Sequence, residues 1–339
     1  MTSTVEARGG APVRSPEGEA QRRESAGPDD NPDIWVLADP RAGTAAQALG
    51  IAEALGRPFR SVPLAWGPLA RLPLRWATLA GLAPAARAVF VPPWPRLVIA
   101  AGRRSAPVAL WLKARGARLV HCMRPGFAEA RFDLLVLGRH DDPAPAGNVL
   151  PILGATHRVS AAKLEAARGE FAALAALPAP RVALLLGGPV RGEGMAAEVA
   201  AAIGRQVAGF AGSVMASASR RTGPAATAAL AAALAGVPHR LFRWGDPPPN
   251  PYLGFLAQAD LVVVTGDSVS MLSEALATGA PLLIADPGGL GSRHRRLGDS
   301  LIAAGAARRL GEGPASAGRA PLDETARVAS EIIGRGLLS

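Results

Sequence analysis

The chain has 339 residues, a formal net charge of +10 and one cysteine, Cys122. That length suits two ordinary domains better than one core, and a single cysteine excludes an intrachain disulfide framework, so the fold does not depend on an oxidising compartment. The positive charge, carried almost wholly by arginine since Lys113 and Lys163 are the only lysines, favours phosphorylated ligands or anionic lipid; nucleic acid is disfavoured, because no zinc-ligand spacing, helix-turn-helix or interleaved aromatic and basic strand is present.

Residues 1–32 hold four arginines against six acids and no apolar run, which predicts a disordered tail. The tail lacks the apolar core of a secretion signal and is too acidic for a mitochondrial transit peptide. Ile34–Leu37 reads as the first strand, Asp39–Gly43 as a turn, and Ala45–Leu55 as a helix stopped by Gly56 and Pro58. Trp66–Trp94 is rich in Leu, Ala, Trp and Arg but broken by Pro and Gly, too interrupted and charged to span a bilayer. It reads equally as a surface element in the lipid headgroup region or as short helices covering a sheet. Leu97–Ala101 is the next strand, followed by Gly102-Arg103-Arg104-Ser105, a helix over Pro107–Arg115, and strands at Leu119–Met123 and Leu134–Leu137. Cys122, at a strand end, is expected to be a buried inert thiol. The first domain is placed at 33–160, with a helical link over Lys163–Leu177.

A second domain, 161–321, starts with the strand Val182–Leu186 and a glycine loop, 187–194, whose spacing matches neither a P-loop nor a dinucleotide fingerprint. A helix over Met195–Phe210, the strand Val214–Ser217, the block Ser219-Arg220-Arg221-Thr222 and a short strand Leu241–Trp244 follow. The most informative unit is next. Leu261–Thr265 is apolar on both faces, as in a central parallel strand; Gly266–Ser268 is a small polar turn; the helix after it carries Glu274 and stops at Gly279 and Pro281. Asp267 or Ser268 is expected to cap that helix, leaving its first amides free for a phosphate. Ser270 and Glu274 are four residues apart, so the carboxylate lies one turn deeper, placed for a pair of sugar hydroxyls. Residues 322–339 are read as a helix, Leu322–Gly334, crossing back to the first domain. The strand-helix alternation in two halves predicts an α/β protein with two Rossmann-like domains facing a cleft, a pattern shared with periplasmic-binding-protein-like folds.

The block Ser219-Arg220-Arg221-Thr222, the Asn250-Pro251-Tyr252 triplet and the run Thr265-Gly266-Asp267-Ser268-Val269-Ser270-Met271 resemble the "elongated mitochondria" fission-protein family and its bacterial homologues, over about Trp35 to Leu310. The strand-turn-Glu-helix unit is also similar to the donor site of GT-B glycosyltransferases. The resemblance implies a GT-B-like fold in which Ser268, Val269 and Ser270 offer amides to a diphosphate and Glu274 holds the nucleotide ribose. Gly187, Gly188, Ser219, Arg220 and Arg221 join them on the donor side, an arginine neutralising the leaving diphosphate. No Asp-x-Asp pair sits at a strand end, so a metal-independent reaction is expected, with a nucleotide sugar as substrate and no other cofactor. The family's first loop reads Asp-Gly-Lys-x-Gly-His-x-x-Gln; here Asp39–Gln47 has Thr44 in place of the histidine, and a hydroxyl cannot serve as its base. Arg139 stands where relatives commonly have Glu. Asp39, His140 and Asp141 remain as base candidates, Asp39 preferred. Gly43, Thr44, Gln47, Arg103, Arg104 and Ser105 are the acceptor-side candidates, with a purely structural role for the arginine loop weighed equally. The expected activity is transfer of a uridine-linked sugar to a cell-envelope acceptor, lipid-linked or otherwise, by a cytoplasmic protein peripheral to the membrane's inner face. The alternatives are a sugar-nucleotide epimerase and a non-catalytic membrane-associated adaptor.

Overall fold

The computed structural model describes residues 32–189, 194–312 and 318–339. The expectation for the tail, up to residue 31, and that for residues 190–193 of the glycine loop fall outside the described residues. In chain order, the first half comprises β1 (Ile34–Ala38), α1 (Ala42–Ala54), β2 (Phe59–Pro63), α2 (Pro84–Arg87), β3 (Leu97–Ala101), α3 (Ala106–Lys113), β4 (Arg118–Cys122), β5 (Leu134–Gly138) and β6 (Val149–Ile152). The second half continues with α4 (Ala161–Glu170), β7 (Arg181–Leu186), α5 (Ala197–Ala208), β8 (Ser213–Ala218), α6 (Pro224–Ala233), β9 (His239–Phe242), α7 (Tyr252–Gln258), β10 (Leu261–Thr265), α8 (Val269–Leu276), β11 (Leu282–Ala285), α9 (Ser292–Ala303), β12 (Arg308–Arg309) and α10 (Glu324–Gly334).

Each half is built on a six-stranded parallel sheet, ordered β2-β1-β3-β4-β5-β6 and β12-β11-β10-β7-β8-β9. Both faces of each sheet are covered, so the central strands are apolar without alternation and divide their side chains between two cores. In β1, Ile34 and Val36 enter one core while Trp35 and Leu37 enter the other. In β10, Val262 and Val264 face away from Leu261 and Val263 in the same way. The 64–94 segment covers the first sheet: Trp66, Ala77, Leu79, Ala86, Val89 and Trp94 pack on its core, and Trp35 meets Phe90 and Trp94 edge to face. Leu69, Leu72 and Trp76 from the same segment stay exposed, at 45%, 56% and 58%.

Chain order is broken last by α10, which packs on α1; Val328, Ala329 and Ile332 join the core of Ile34, Val36 and Ala48. Glu324 Oε1 accepts the Leu153 amide at 2.7 Å, and Thr325 Oγ1 accepts the His157 amide at 3.0 Å. Among the described residues no helix is long and apolar enough to cross a membrane.

The sheet orders fix where a ligand can sit. Strand order reverses between β1 and β3 in one sheet and between β7 and β10 in the other, and at such switch points the loops at the strands' carboxyl ends diverge to leave a crevice. The two crevices open toward each other.

Candidate functional site

A cavity of about 260 Å³ lies between the halves, and every stretch lining it leaves the carboxyl end of a strand. Arg41, Gly43, Thr44 and Gln47 follow β1; Gly138, His140 and Asp141 close β5; Gly154 and Ala155 follow β6. From the other side come Arg221 after β8, Asp267 to Ser270 after β10, and Arg293 and His294 after β11.

Two helix starts meet there. A Cβ added to Gly43, at the start of α1, would stand 2.9 Å from Ser270 Oγ at the start of α8. Among the described residues, no group accepts a hydrogen bond from the amides of Val269 or Ser270, whereas the Ser268 amide, also expected to be free, donates to the Thr265 carbonyl at 3.2 Å and is not available. Free first-turn amides and the positive ends of two helices, with Arg41, Arg221 and Arg293 around them, are groups that favour a negative charge. The expected cap is absent, since neither Asp267 nor Ser268 bonds a first-turn amide through its side chain.

Asp267 instead turns to the glycine loop, where its Oδ2 accepts the Gly188 amide at 2.5 Å and stands 3.6 Å from Arg221 Nη1. Thr265 Oγ1 takes the Gly187 amide at 2.8 Å, so neither glycine has an amide left for a phosphate. Gly188 has φ +149, and a Cβ there would lie 1.9 Å from the Arg221 carbonyl oxygen, which only glycine avoids. Ser219 and Thr222 are also structural: their hydroxyls donate to the Gly187 carbonyl at 2.9 and 2.6 Å. Of the arginine pair, Arg221 lines the cavity and donates to the Gly188 carbonyl, while Arg220 is exposed outside it.

The base candidates separate just as clearly. Asp39 is 9% exposed and accepts the Arg41 amide at 2.9 Å and the Trp66 indole N–H at 3.1 Å, bracketing two loops without lining the cavity. Asp141 takes two hydrogen bonds from Arg293, at 2.5 and 3.0 Å, and this guanidinium holds its carboxyl below the usual range against the opposing effect of burial. His140 remains. It is 3% exposed, neither ring nitrogen has a hydrogen-bond partner among the described residues, Nε2 stands 3.8 Å from Asp141 Oδ2, and burial pushes its pKa down to about 4. Its ring fits because Gly138 has no Cβ; one would lie 2.1 Å from His140 Cε1. The cavity therefore brings a neutral imidazole together with free helix amides and three arginines.

Glu274 does not line the cavity. Its carboxylate accepts the Tyr252 hydroxyl, and burial raises its pKa to about 7. Arg103 and Arg104 line a different cavity, and Ser105 is fully buried, donating to the Ala101 carbonyl at 2.8 Å. Cys122 is buried, its thiol pushed up to about 12 by burial.

The sequence profile described as "Mitochondrial fission ELM1" matches residues 42–335. The chain belongs to this family. Within reach of this ELM1-family chain are the mitochondrial fission protein ELM1 of Arabidopsis thaliana, 29% identical over 61% of the chain and 55% of the plant protein, and an uncharacterized protein of Rickettsia prowazekii, 27% identical over 79% of the chain and 88% of that protein. The match thus spans about half the length of the plant relative. In fold the chain is similar to the UDP-GlcNAc 2-epimerase of Methanocaldococcus jannaschii (TM-score 0.53, 12% identity, 89% of this chain and 99% of that one). It is likewise similar to Os79 of O. sativa in complex with UDP (TM-score 0.52, 12% identity, 88% and 91%). The fold of this ELM1-family member is GT-B-like, with two parallel-sheet halves facing a cleft.

Among the charged residues and histidines lining the cavity, the sequence reading misses Arg41, Arg293 and His294. The run Arg293-His294-Arg295-Arg296 follows a strand and a Gly-Gly turn, the same placement that drew attention to Ser219-Arg220-Arg221-Thr222.

Proposed function

We propose that the cleft binds a nucleotide sugar, uridine-linked in the first instance, and transfers the sugar to the hydroxyl of an acceptor, a cell-envelope and lipid-linked molecule being the favoured class. The observation that carries this reading is the buried His140 imidazole, whose ring nitrogens have no hydrogen-bond partner among the described residues, in the wall of the cavity that the start of α8 also lines. In the reaction a His140 nitrogen takes the acceptor's hydroxyl proton as that oxygen bonds to the anomeric carbon. The bond from that carbon to the diphosphate breaks, and the electron pair leaves with the diphosphate. The amides of Val269 and Ser270 and the Arg221 guanidinium receive the developing charge, so the reading is metal-independent. Thr44 and Gln47, across the cavity, face the acceptor. Glu274 receives the ribose once Tyr252 releases it. The epimerase and the Os79 complex, whose names carry a uridine nucleotide, support the donor class.

The test is calorimetric titration of the purified chain with uridine, cytidine, guanosine and thymidine diphosphates, with Arg221→Ala beside it. Selective binding weakened in the variant is expected. No binding to any of the four would overturn the donor site and leave the adaptor reading. Conversion of a UDP-sugar with no acceptor present would make the protein an epimerase.

A further inference from the structure

A second cavity, of about 350 Å³, lies on the other side of the Asp39 bracket, where Trp66 contributes its wall. Arg71 and Arg75 enter it from the 64–82 segment, and Arg103 and Arg104 from the loop after β3. Among the described residues no acidic one lines it. Among the described residues, none of the four guanidinium groups has a hydrogen-bond acceptor or a carboxylate partner, whereas Arg158, Arg181 and Arg293 elsewhere are all paired.

Four unneutralised like charges around one concavity repel one another, and an anion entering it removes that cost. Guanidinium forks suit phosphate oxygens in particular. The rim adds a second requirement. Leu72 lines the cavity and is 56% exposed, and Leu69 and Trp76 beside it are 45% and 58% exposed, so apolar groups flank a cationic hollow. A soluble phosphate has no use for that rim, while a phosphate ester joined to an apolar chain satisfies both parts; tryptophan and leucine beside arginine is the composition of a membrane-interface contact.

We infer that this cavity is a second anion site and that its occupant is the phosphate headgroup of a membrane lipid. The inference stands on these residues alone and does not rest on the donor cleft. The 64–82 segment lies against the bilayer surface with Trp76, Leu72 and Leu69 at the acyl boundary, and the headgroup phosphate sits between the two arginine pairs.

Co-sedimentation of the full chain with vesicles of phosphatidylglycerol, and separately of phosphatidylcholine, tests it. Binding to the anionic vesicles alone is expected, weakened roughly tenfold or more by R71A/R75A and by R103A/R104A. The charge-matched R205A/R240A, on exposed positions of α5 and β9 in the other half and outside the cavity lining, is expected to stay within about twofold. Melting midpoints and circular dichroism spectra establish that each variant is folded. Equal weakening in all three variants would reduce the effect to net charge and overturn the site. Absence of vesicle binding, with inorganic diphosphate protecting the wild-type chain but not R103A/R104A against unfolding, would overturn the lipid assignment in favour of a soluble phosphate.

Discussion

Arg293, at the start of α9, grips Asp141, at the end of β5, through two hydrogen bonds across 152 residues of sequence. Arg296, one turn on, donates to the His140 carbonyl at 3.0 Å, so one helix of the second half fixes the backbone that carries the cleft imidazole. Arg293→Ala is expected to lower stability by roughly 1 kcal/mol, the worth of a half-exposed bidentate pair, and the melting midpoint by about 2 °C. A double-mutant cycle with Asp141→Asn separates this contact from general loss. A coupling near zero would mean that the halves are held together by other contacts.

His140 gives a prediction in pH. A buried imidazole with a pKa near 4 is uncharged throughout the neutral range, so the acid limb of kcat/KM is expected near 4 rather than at the ordinary value of 6.5. The limb of kcat should lie higher, because a bound diphosphate favours the imidazolium. His140→Gln is expected to lower kcat by about 10²- to 10⁴-fold and to leave diphosphate affinity within about twofold. Gly138→Ala probes position: its φ of −63° admits alanine, but the new Cβ would collide with the ring. Full activity in His140→Gln would remove the imidazole from the mechanism.

The contrast between these residues and the ones the sequence singles out has a physical pattern. β1, β3 and β10 are legible because a strand buried on both faces must be apolar throughout. β2, an edge strand ending in Pro63 with half-buried Arg60 and Ser61, carries no such run, and the short strand expected at Leu241–Trp244 lies two residues earlier, leaving Trp244 69% exposed. The free amides of Val269 and Ser270 after β10 are legible because helix geometry alone dictates them. Which acid or arginine faces the cleft is decided by partners distant in sequence: Trp66 ties up Asp39, Arg293 ties up Asp141, and Tyr252 covers Glu274. No local pattern encodes those pairings: the sequence favours Asp39 over His140 as a base, whereas in the structure His140 and not Asp39 lines the cavity.

Acid should weaken the fold through its histidines. Burial lowers the pKa of His121 and His140 to about 4 and also lowers that of His157, while the unfolded chain takes protons near 6.5. Protons therefore bind the unfolded state first. The stability these groups contribute is complete above 6.5 and is lost as pH falls toward 4, roughly 2 kcal/mol each at pH 5 for His121 and His140. His121→Gln, at a site packed edge to face on Phe132, is expected to cost stability at pH 7 but to flatten the decline between pH 7 and 5. An undiminished slope would place the acid lability in other groups.

Glu274 works in the opposite direction. Its pKa is raised to about 7 by burial and held from rising further by the Tyr252 hydroxyl. A carboxyl whose folded pKa exceeds its unfolded value stabilises most below the unfolded value, near 4.5, and loses that contribution as pH rises through 7. Glu274→Gln should remove the decline, and Tyr252→Phe, which deletes the donor, should move the carboxyl's titration above 7 in a carbon-13 side-chain spectrum. The same pair decides the ribose contact. If the carboxylate receives the nucleotide's hydroxyls, Tyr252 competes with the ligand, so Tyr252→Phe should tighten uridine diphosphate binding while Glu274→Gln weakens it about tenfold, the loss of one charge-assisted hydrogen bond. Opposite signs in the two variants would establish the contact, and unchanged affinity in both would leave Glu274 a buried acid of the core.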